Sequence, residues 1–281
     1  MPARFSRVVR ALAFGFLALA LTLVGGGIWA ALLSANLATS PTVAWSVPAM
    51  ALVLWATWRY LGGSGPPRGT SELRRRSLRG ERVAGPVLAW ALVAGALSIV
   101  ALTGFWIVLF QLARAPGNAL PDFSKYPPVT VALVLAMASV VGGVTEEAGI
   151  RGYLQGFLER EFGAGVAIVG ASLIMAPGHA LTQGFVWSTM LFYLFVDVMF
   201  GVTAYLTGSI LPGILTHAAG LFAFFTLVWP QDATRRLITE DGATGWFWIH
   251  VGQTVAFAAL ALLAFRYLAR ITRQVPSTLS A

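Results

Sequence analysis

The chain contains no cysteine, so disulfides and thiolate metal sites are excluded. Charge is nearly as scarce. Asp, Glu, Lys and Arg make up 11% of the 281 residues, against about 25% in soluble globular domains. Lysine occurs only at Lys125 and asparagine only at Asn36 and Asn118, and there are 3 histidines. Nothing is polar, Gly-periodic or heptad-charged enough for disorder, collagen or a coiled coil. What is present is apolar: 57% of the residues are hydrophobic, more than a soluble fold of this size can dispose of. The composition points to an all-α, polytopic membrane protein, in which an ionisable side chain away from the span ends is costly and therefore informative.

A membrane-spanning helix needs about 20 apolar residues, and the sequence offers eight such stretches. They run from Val9 to Leu33, Val43 to Leu61, Pro86 to Ala113, Pro128 to Phe162, Gly163 to Gly184, Val186 to Thr207, Ser209 to Trp229 and Gly245 to Ala269. The runs are continuous rather than alternating, which argues against a transmembrane barrel. Eight spans put both termini on one side. That side collects Arg4, Arg7, Arg10, the arginines from Arg59 to Arg82, Arg151, Arg160, Arg266, Arg270 and Arg273; the other keeps Arg114, Lys125, Arg235 and Arg236. The asymmetry places both termini in the cytosol. It also accounts for the net charge of +8 without a nucleic-acid partner. The partner is the lipid bilayer, and the arginine run at 74–82 is a topology signal that can also meet anionic lipid.

The first stretch has an Arg-rich start, but its apolar run exceeds that of a signal peptide, so a retained helix is expected. The segment from Gly62 to Val83, with its Gly-Pro-Pro, reads as a flexible polar connector. We divide the chain into N-terminal helices and basic loop (1–127), a core of helices (128–230), and a C-terminal loop and last span (231–281).

Few ionisable groups fall inside the spans: Glu146, Glu147, Arg151 and Asp197, together with His179 and His217. One such group alone is commonly a buried hydrogen-bond partner between helices. Several in adjacent spans point to chemistry. Glu146 lies 17 residues before the turn at Gly163 and His179 lies 16 after it. At about 1.5 Å per residue both sit about 25 Å from that turn. His217 starts from the turn at Gly208 on the same face, so the three can converge in a cavity below the cytosolic surface. Glu147 and Arg151, four residues apart, can pair and leave Glu146 as a general base for water. Pro177 and Gly178 are expected to distort the helix before His179 and free backbone groups for a wet site. Asp197 is a candidate cavity-lining residue or hydrogen-bond partner, and His250, among Trp246 and Trp248, an interfacial one.

Glu146-Glu147-Ala-Gly-Ile-Arg151 reads Glu-Glu-x-x-x-Arg, which resembles the first motif of the CPBP family of intramembrane proteases, including the CAAX-processing endoproteases and Abi-like membrane proteins. His179 takes the place of the second-motif histidine. Thr207-Gly-Ser-Ile-Leu-Pro-Gly-Ile-Leu-Thr-His217 looks like the approach to the third. The resemblance covers about residues 140–221. It implies an endopeptidase acting on a peptide or membrane-protein tail, expected to enter from the cytosolic side. Glu146 and His179 would activate water, His217 would help hold the oxyanion, and Glu147 and Arg151 would orient them. The excess of Arg over Lys and the Ala-rich runs suggest a high-GC bacterial genome, hence a multi-pass protein of the bacterial inner membrane.

Two positions depart from that pattern. Met175 stands where the family has Phe, and Leu221 where it has Asn or a similar polar residue. Leu cannot donate to an oxyanion; Thr216, Gln253 or a water are the candidate substitutes. Glu146, His179 and His217 could ligate zinc as an open three-ligand site. With no His-Glu-x-x-His pair, the metal-free route is favoured and no cofactor is expected. The alternatives are a catalytically weak or inactive pseudoprotease acting as membrane scaffold or immunity protein, and a carrier using Glu146 and Asp197 as proton sites. A Leu221→Asn variant separates the first of these from the protease in a cleavage assay. A large gain marks a weakened enzyme, and no cleavage by either form marks a binding role.

Overall fold

The computed structural model describes residues 2–113, 122–183 and 185–274, and among these there are helices and turns but no strand. Helix α1 (Pro2–Thr39) is followed by α2 (Ser46–Leu61). Asn36 makes the turn between them: its amide donates to the Ser40 and Val43 carbonyls at 2.9 and 2.8 Å and accepts from the Ser46 N–H at 2.8 Å. A polar side chain buried in an apolar protein is thereby fully paired. Asn118 and Arg114 lie outside the described residues.

The expected flexible connector is instead folded. Residues Arg68–Thr70 form a 3₁₀ turn and α3 (Ser71–Leu78) follows. Arg74 is only 7% exposed; it donates to the Gly65 carbonyl at 2.8 Å and lies over the Tyr60 ring. Arg79 ends α3 in the left-handed region (φ 54°). Its side chain reaches Glu159 at 3.1 Å and the Ala204 carbonyl at 2.8 Å, and its own carbonyl accepts from Ile210 N–H at 3.0 Å. The arginine run is thus divided. Arg75 and Arg76 stay exposed beside Glu72 and hold its carboxyl below the usual range. Arg74 and Arg79 point inward and tie the loop down, a use that nine residues without periodicity do not announce.

Helix α4 (Gly85–Leu112) leads to α5 (Pro128–Glu146), a π-helical stretch (Glu147–Gln155) and α6 (Gly156–Phe162), which form one continuous rod. After the turn at Gly163 come α7 (Ala164–Gln183), α8 (Trp187–Thr207) and α9 (Leu211–Ala223). A second π-helical stretch (Phe224–Val228), a 3₁₀ turn (Trp229–Thr234), the short α10 (Ile238–Asp241) and α11 (Gly245–Gln274) complete the fold. Helix α7 continues through Pro177 to Gln183, so the expected break before His179 does not occur. One missing donor is tolerated in a membrane helix. The irregularity falls in the preceding rod, at the π-helix.

The chain is an all-α polytopic membrane protein. Among the described residues six segments are long and apolar enough to cross a bilayer, namely Arg7–Thr39, Gly85–Leu112, Pro128–Phe162, Trp187–Thr207, Leu211–Asp232 and Gly245–Gln274. The other two apolar stretches also become helices. Helix α2 has 16 residues, about 24 Å of rise against a hydrocarbon core of about 30 Å. Helix α7 has 20, of which Ala164–His179 are apolar.

The rod from α5 to α6 is the axis of the bundle. Residues Glu147 to Leu158 are all buried, although the segment carries Glu147, Arg151 and Gln155. Neighbours approach it closely because it presents glycines. A Cβ on Gly149 would lie 2.8 Å from the Ala18 carbonyl oxygen of α1. One on Gly152 would lie 2.9 Å from that of Leu78 and 3.0 Å from that of Ser77. Substituting Gly152→Ala is therefore expected to push α3 off the rod and lower stability by about 1–3 kcal/mol, the usual range for overpacking. A lower melting temperature in detergent and faster proteolysis within 74–82 are the readouts. Gly165→Ala, where the new methyl meets nothing within 4 Å, serves as the neutral control.

Candidate active site

The intramembrane ionisable residues gather from three elements. The rod supplies Glu146, Glu147 and Arg151, α8 supplies Asp197, and α9 supplies His217. Arg151 is 1% exposed. Its Nη2 makes a charged hydrogen bond to Asp197 Oδ1 and also donates to the Asp197 carbonyl at 3.2 Å. Its Nε lies 3.8 Å from Glu147 Oε1. The i,i+4 partnership expected from the sequence is present, but the tighter contact is across helices. A π-turn is wider than an α-turn, and it carries the guanidinium toward α8. Asp197, expected as a cavity-lining residue, therefore also serves as the main counter-ion of the site.

With Arg151 held chiefly by Asp197, Glu147 is available to histidine. His217 Nδ1 donates to Glu147 Oε1 at 3.1 Å. A carboxylate on Nδ1 fixes which ring nitrogen faces the site. The other nitrogen, Nε2, stands 3.7 Å from Glu146 Oε2, too far for a direct hydrogen bond. Phe200 lies flat on the imidazole, with centroids 4.4 Å apart and planes at 16°, and its ring is 5.5 Å from the Arg151 guanidinium carbon. Glu147 Oε2 and Asp197 Oδ2 have no hydrogen-bond partner among the described residues. Gly213 explains how Glu147 fits, because a Cβ there would stand 2.6 Å from Oε2.

His179 is placed by α7. Its ring stacks on Tyr193 of α8, with centroids 3.7 Å apart and planes at 12°. Glu146, His179, Asp197 and His217 all line one cavity of about 570 Å³, within the range of small-ligand pockets. Most of its remaining wall is apolar. Tyr193, Asp197 and Phe200 share one face of α8 at i, i+4 and i+7. That spacing was open to inspection in the sequence, whereas the role of Gly213 was not.

Leu221 also lines the cavity, and its Cδ1 occupies the notch left by Gly142, 2.6 Å from where a Cβ would stand. The same notch is 3.9 Å from Glu146 Oε1. An apolar wall thus stands beside the glutamate where the family pattern has a polar group. Neither side chain expected to substitute for it lines the cavity, and the Thr216 hydroxyl has no hydrogen-bond partner among the described residues. Thr216 packs on Gly95 of α4. Gln253 donates to the Val100 carbonyl at 2.8 Å and accepts from His250 Nδ1 at 3.0 Å. Among the described residues no three His, Asp or Glu side chains converge as a ligand set for a metal ion.

Removing Asp197 leaves Arg151 as a buried cation with one distant partner. Asp197→Ala is expected to destabilise the protein by about 3–5 kcal/mol, the cost of breaking a buried pair from one side, and Asp197→Asn by less. Thermal unfolding in detergent measures both.

No curated protein and no solved structure matches the chain. The family comparison, in contrast, matches residues 128–223, which run from the start of α5 to the end of α9 and contain every side chain of the cluster. Residues 128–223, about a third of this multi-pass membrane protein, are similar to the family described as Type II CAAX prenyl endopeptidase Rce1-like.

Proposed function

We propose that the chain is an intramembrane endopeptidase of the bacterial inner membrane, which cleaves a peptide or membrane-protein tail with a water activated by Glu146. The observation that supports this most is the relay Glu147–His217–Glu146, with contacts of 3.1 and 3.7 Å at the cavity wall. A gap of 3.7 Å between a carboxylate oxygen and an imidazole nitrogen suits a shared third group better than a direct bond. In the proposed cycle Glu146 takes a proton from water as its oxygen attacks the peptide carbonyl carbon. His179 assists Glu146 at the water, and the tetrahedral oxyanion receives a hydrogen bond from Nε2–H of His217, which acts as the imidazolium because its Nδ1–H is given to Glu147. Glu146 then returns the proton to the amide nitrogen as the C–N bond breaks. Glu147 and Arg151 hold the relay in place from behind the wall, and Asp197 anchors Arg151 from the wall itself.

This cycle needs no metal. Zinc held by Glu146, His179 and His217 is the competing arrangement, and a chelator tests it. The position of Leu221 favours one second reading, a weakened or inactive protease that binds a membrane partner, because the cavity lacks a polar donor at that wall. The carrier reading draws less support, since Arg151 already neutralises Asp197.

Quenched-fluorescent peptides with an apolar flank, reconstituted with the protein in liposomes, provide the assay. Glu146→Gln and His217→Ala are expected to reduce cleavage about 10²–10⁴-fold, the usual worth of a general acid–base group, with melting temperature retained for Glu146→Gln. EDTA is expected to leave the wild-type rate unchanged. Inhibition reversed by zinc overturns the metal-free cycle, and full activity of Glu146→Gln overturns the protease assignment to this site.

A further inference from the structure

The wall of the cavity follows one rule on every helix that builds it. On α5 the lining stops at Glu146, and nothing from the π-helix or α6 takes part. On α8 it stops at Phe200, short of the turn at Gly208, and on α9 it begins only at His217. On α7 it begins at Met175, well past the turn at Gly163, and on α1 at Thr22. The turns at Gly163 and Gly208 and the loop holding α3 all lie at one end of the bundle, bound together by Arg79. The glutamate–histidine cluster is therefore the floor of the cavity, and the cavity extends from it toward the opposite end.

The route from the basic end is filled. Glu147 to Leu158 are all buried. The Ser77 and Leu78 carbonyls sit on Gly152, the Arg79 side chain sits on Gly156, and Gln155 donates to Glu159 and to the Gly201 carbonyl at 2.8 Å each. These contacts pack the rod, α3 and α8 together along the path a chain would need to reach Glu146 from that side. Neutralised charges and backbone hydrogen bonds in a low-dielectric interior do not open without loss.

We infer that the reaction cavity is entered from the membrane face opposite the arginine-rich loop, by an apolar peptide segment presented from that face. This rests on the proposed protease reading only in treating the cavity as the reaction site. It reverses the entry from the basic side expected from the sequence. With the arginine-rich loop in the cytosol by the positive-inside rule, the substrate is an extracytosolic one, such as the outer end of a membrane-spanning segment. The apolar wall selects apolar side chains next to the bond that is cut.

The absence of cysteine makes the test direct, because the wild-type chain gives no thiol background. Single variants Ala138→Cys and Leu102→Cys place a thiol in the cavity wall on two different helices. Arg76→Cys marks the basic face and Val129→Cys, 71% exposed at the start of α5, marks the opposite one. A membrane-impermeant maleimide is applied to sealed vesicles of one orientation, then to inverted ones. The cavity thiols are expected to react on the side where Val129→Cys reacts, at least tenfold faster than on the side where Arg76→Cys reacts. Reaction from the Arg76 side, equal reaction from both, or none from either overturns the inference. Labelling needs no turnover. An inert protein labelled from the Val129 side therefore sinks the protease reading alone, and an active one labelled from the Arg76 side sinks this inference alone.

Discussion

Arg151 is the constraint on which the rest of the structure depends. A guanidinium cannot shed its charge, and at 1% exposure it has no water to lean on. Burying such a cation costs several kcal/mol unless carboxylates with good geometry surround it. Two do, one from its own rod and one from α8, and so the rod and α8 must meet at that level. Once Asp197 has taken most of the guanidinium, Glu147 can hold His217, and His217 can face Glu146. The arrangement of the proposed reactive pair follows from satisfying a charge that has no part in the proposed reaction.

The rod meets this demand through its backbone. A stretch of π-helix alters which side chains line up, which is why a sequence spacing of four does not give the closest ion pair. π-helical stretches of this kind are often found at functional sites. The glycines along the rod let carbonyls from α1 and α3 approach within ordinary contact, so a segment dense in buried polar groups is shielded without large side chains. Aromatic rings complete the enclosure: Phe200 on His217 and Tyr193 on His179 restrict both imidazoles to one plane.

Much of this was legible in the sequence because charge in a membrane is rare and costly. The membrane class, the helical stretches and the six ionisable residues all follow from that one fact, and Glu147, Arg151, Asp197 and His217 are joined by direct contacts. What was hidden has physical reasons. The pairing of Arg151 with Asp197 depends on a turn type that spacing does not report. The docking of α3 rests on backbone carbonyls facing Gly152, which leave no mark in α3 itself. The arginines of the loop carry one sign whether they face water or protein, so Arg74 and Arg79 could not be told from Arg75 and Arg76. The direction in which the cavity runs depends on which half of each helix is filled, and that is set by contacts between helices that no single segment records.

The docking of α3 has a consequence for where this protein's working unit begins. The segment recognisable by family runs from 128 to 223, yet its inner end is roofed by residues 61–82, through Tyr153 bonded to the Leu61 and Arg74 carbonyls and Arg79 bonded to Ala204. The unit that inheritance preserves and the unit that must fold together are therefore not the same stretch of chain. A graft of the recognisable segment onto another membrane scaffold would carry the clustered ionisable side chains but leave their roof behind.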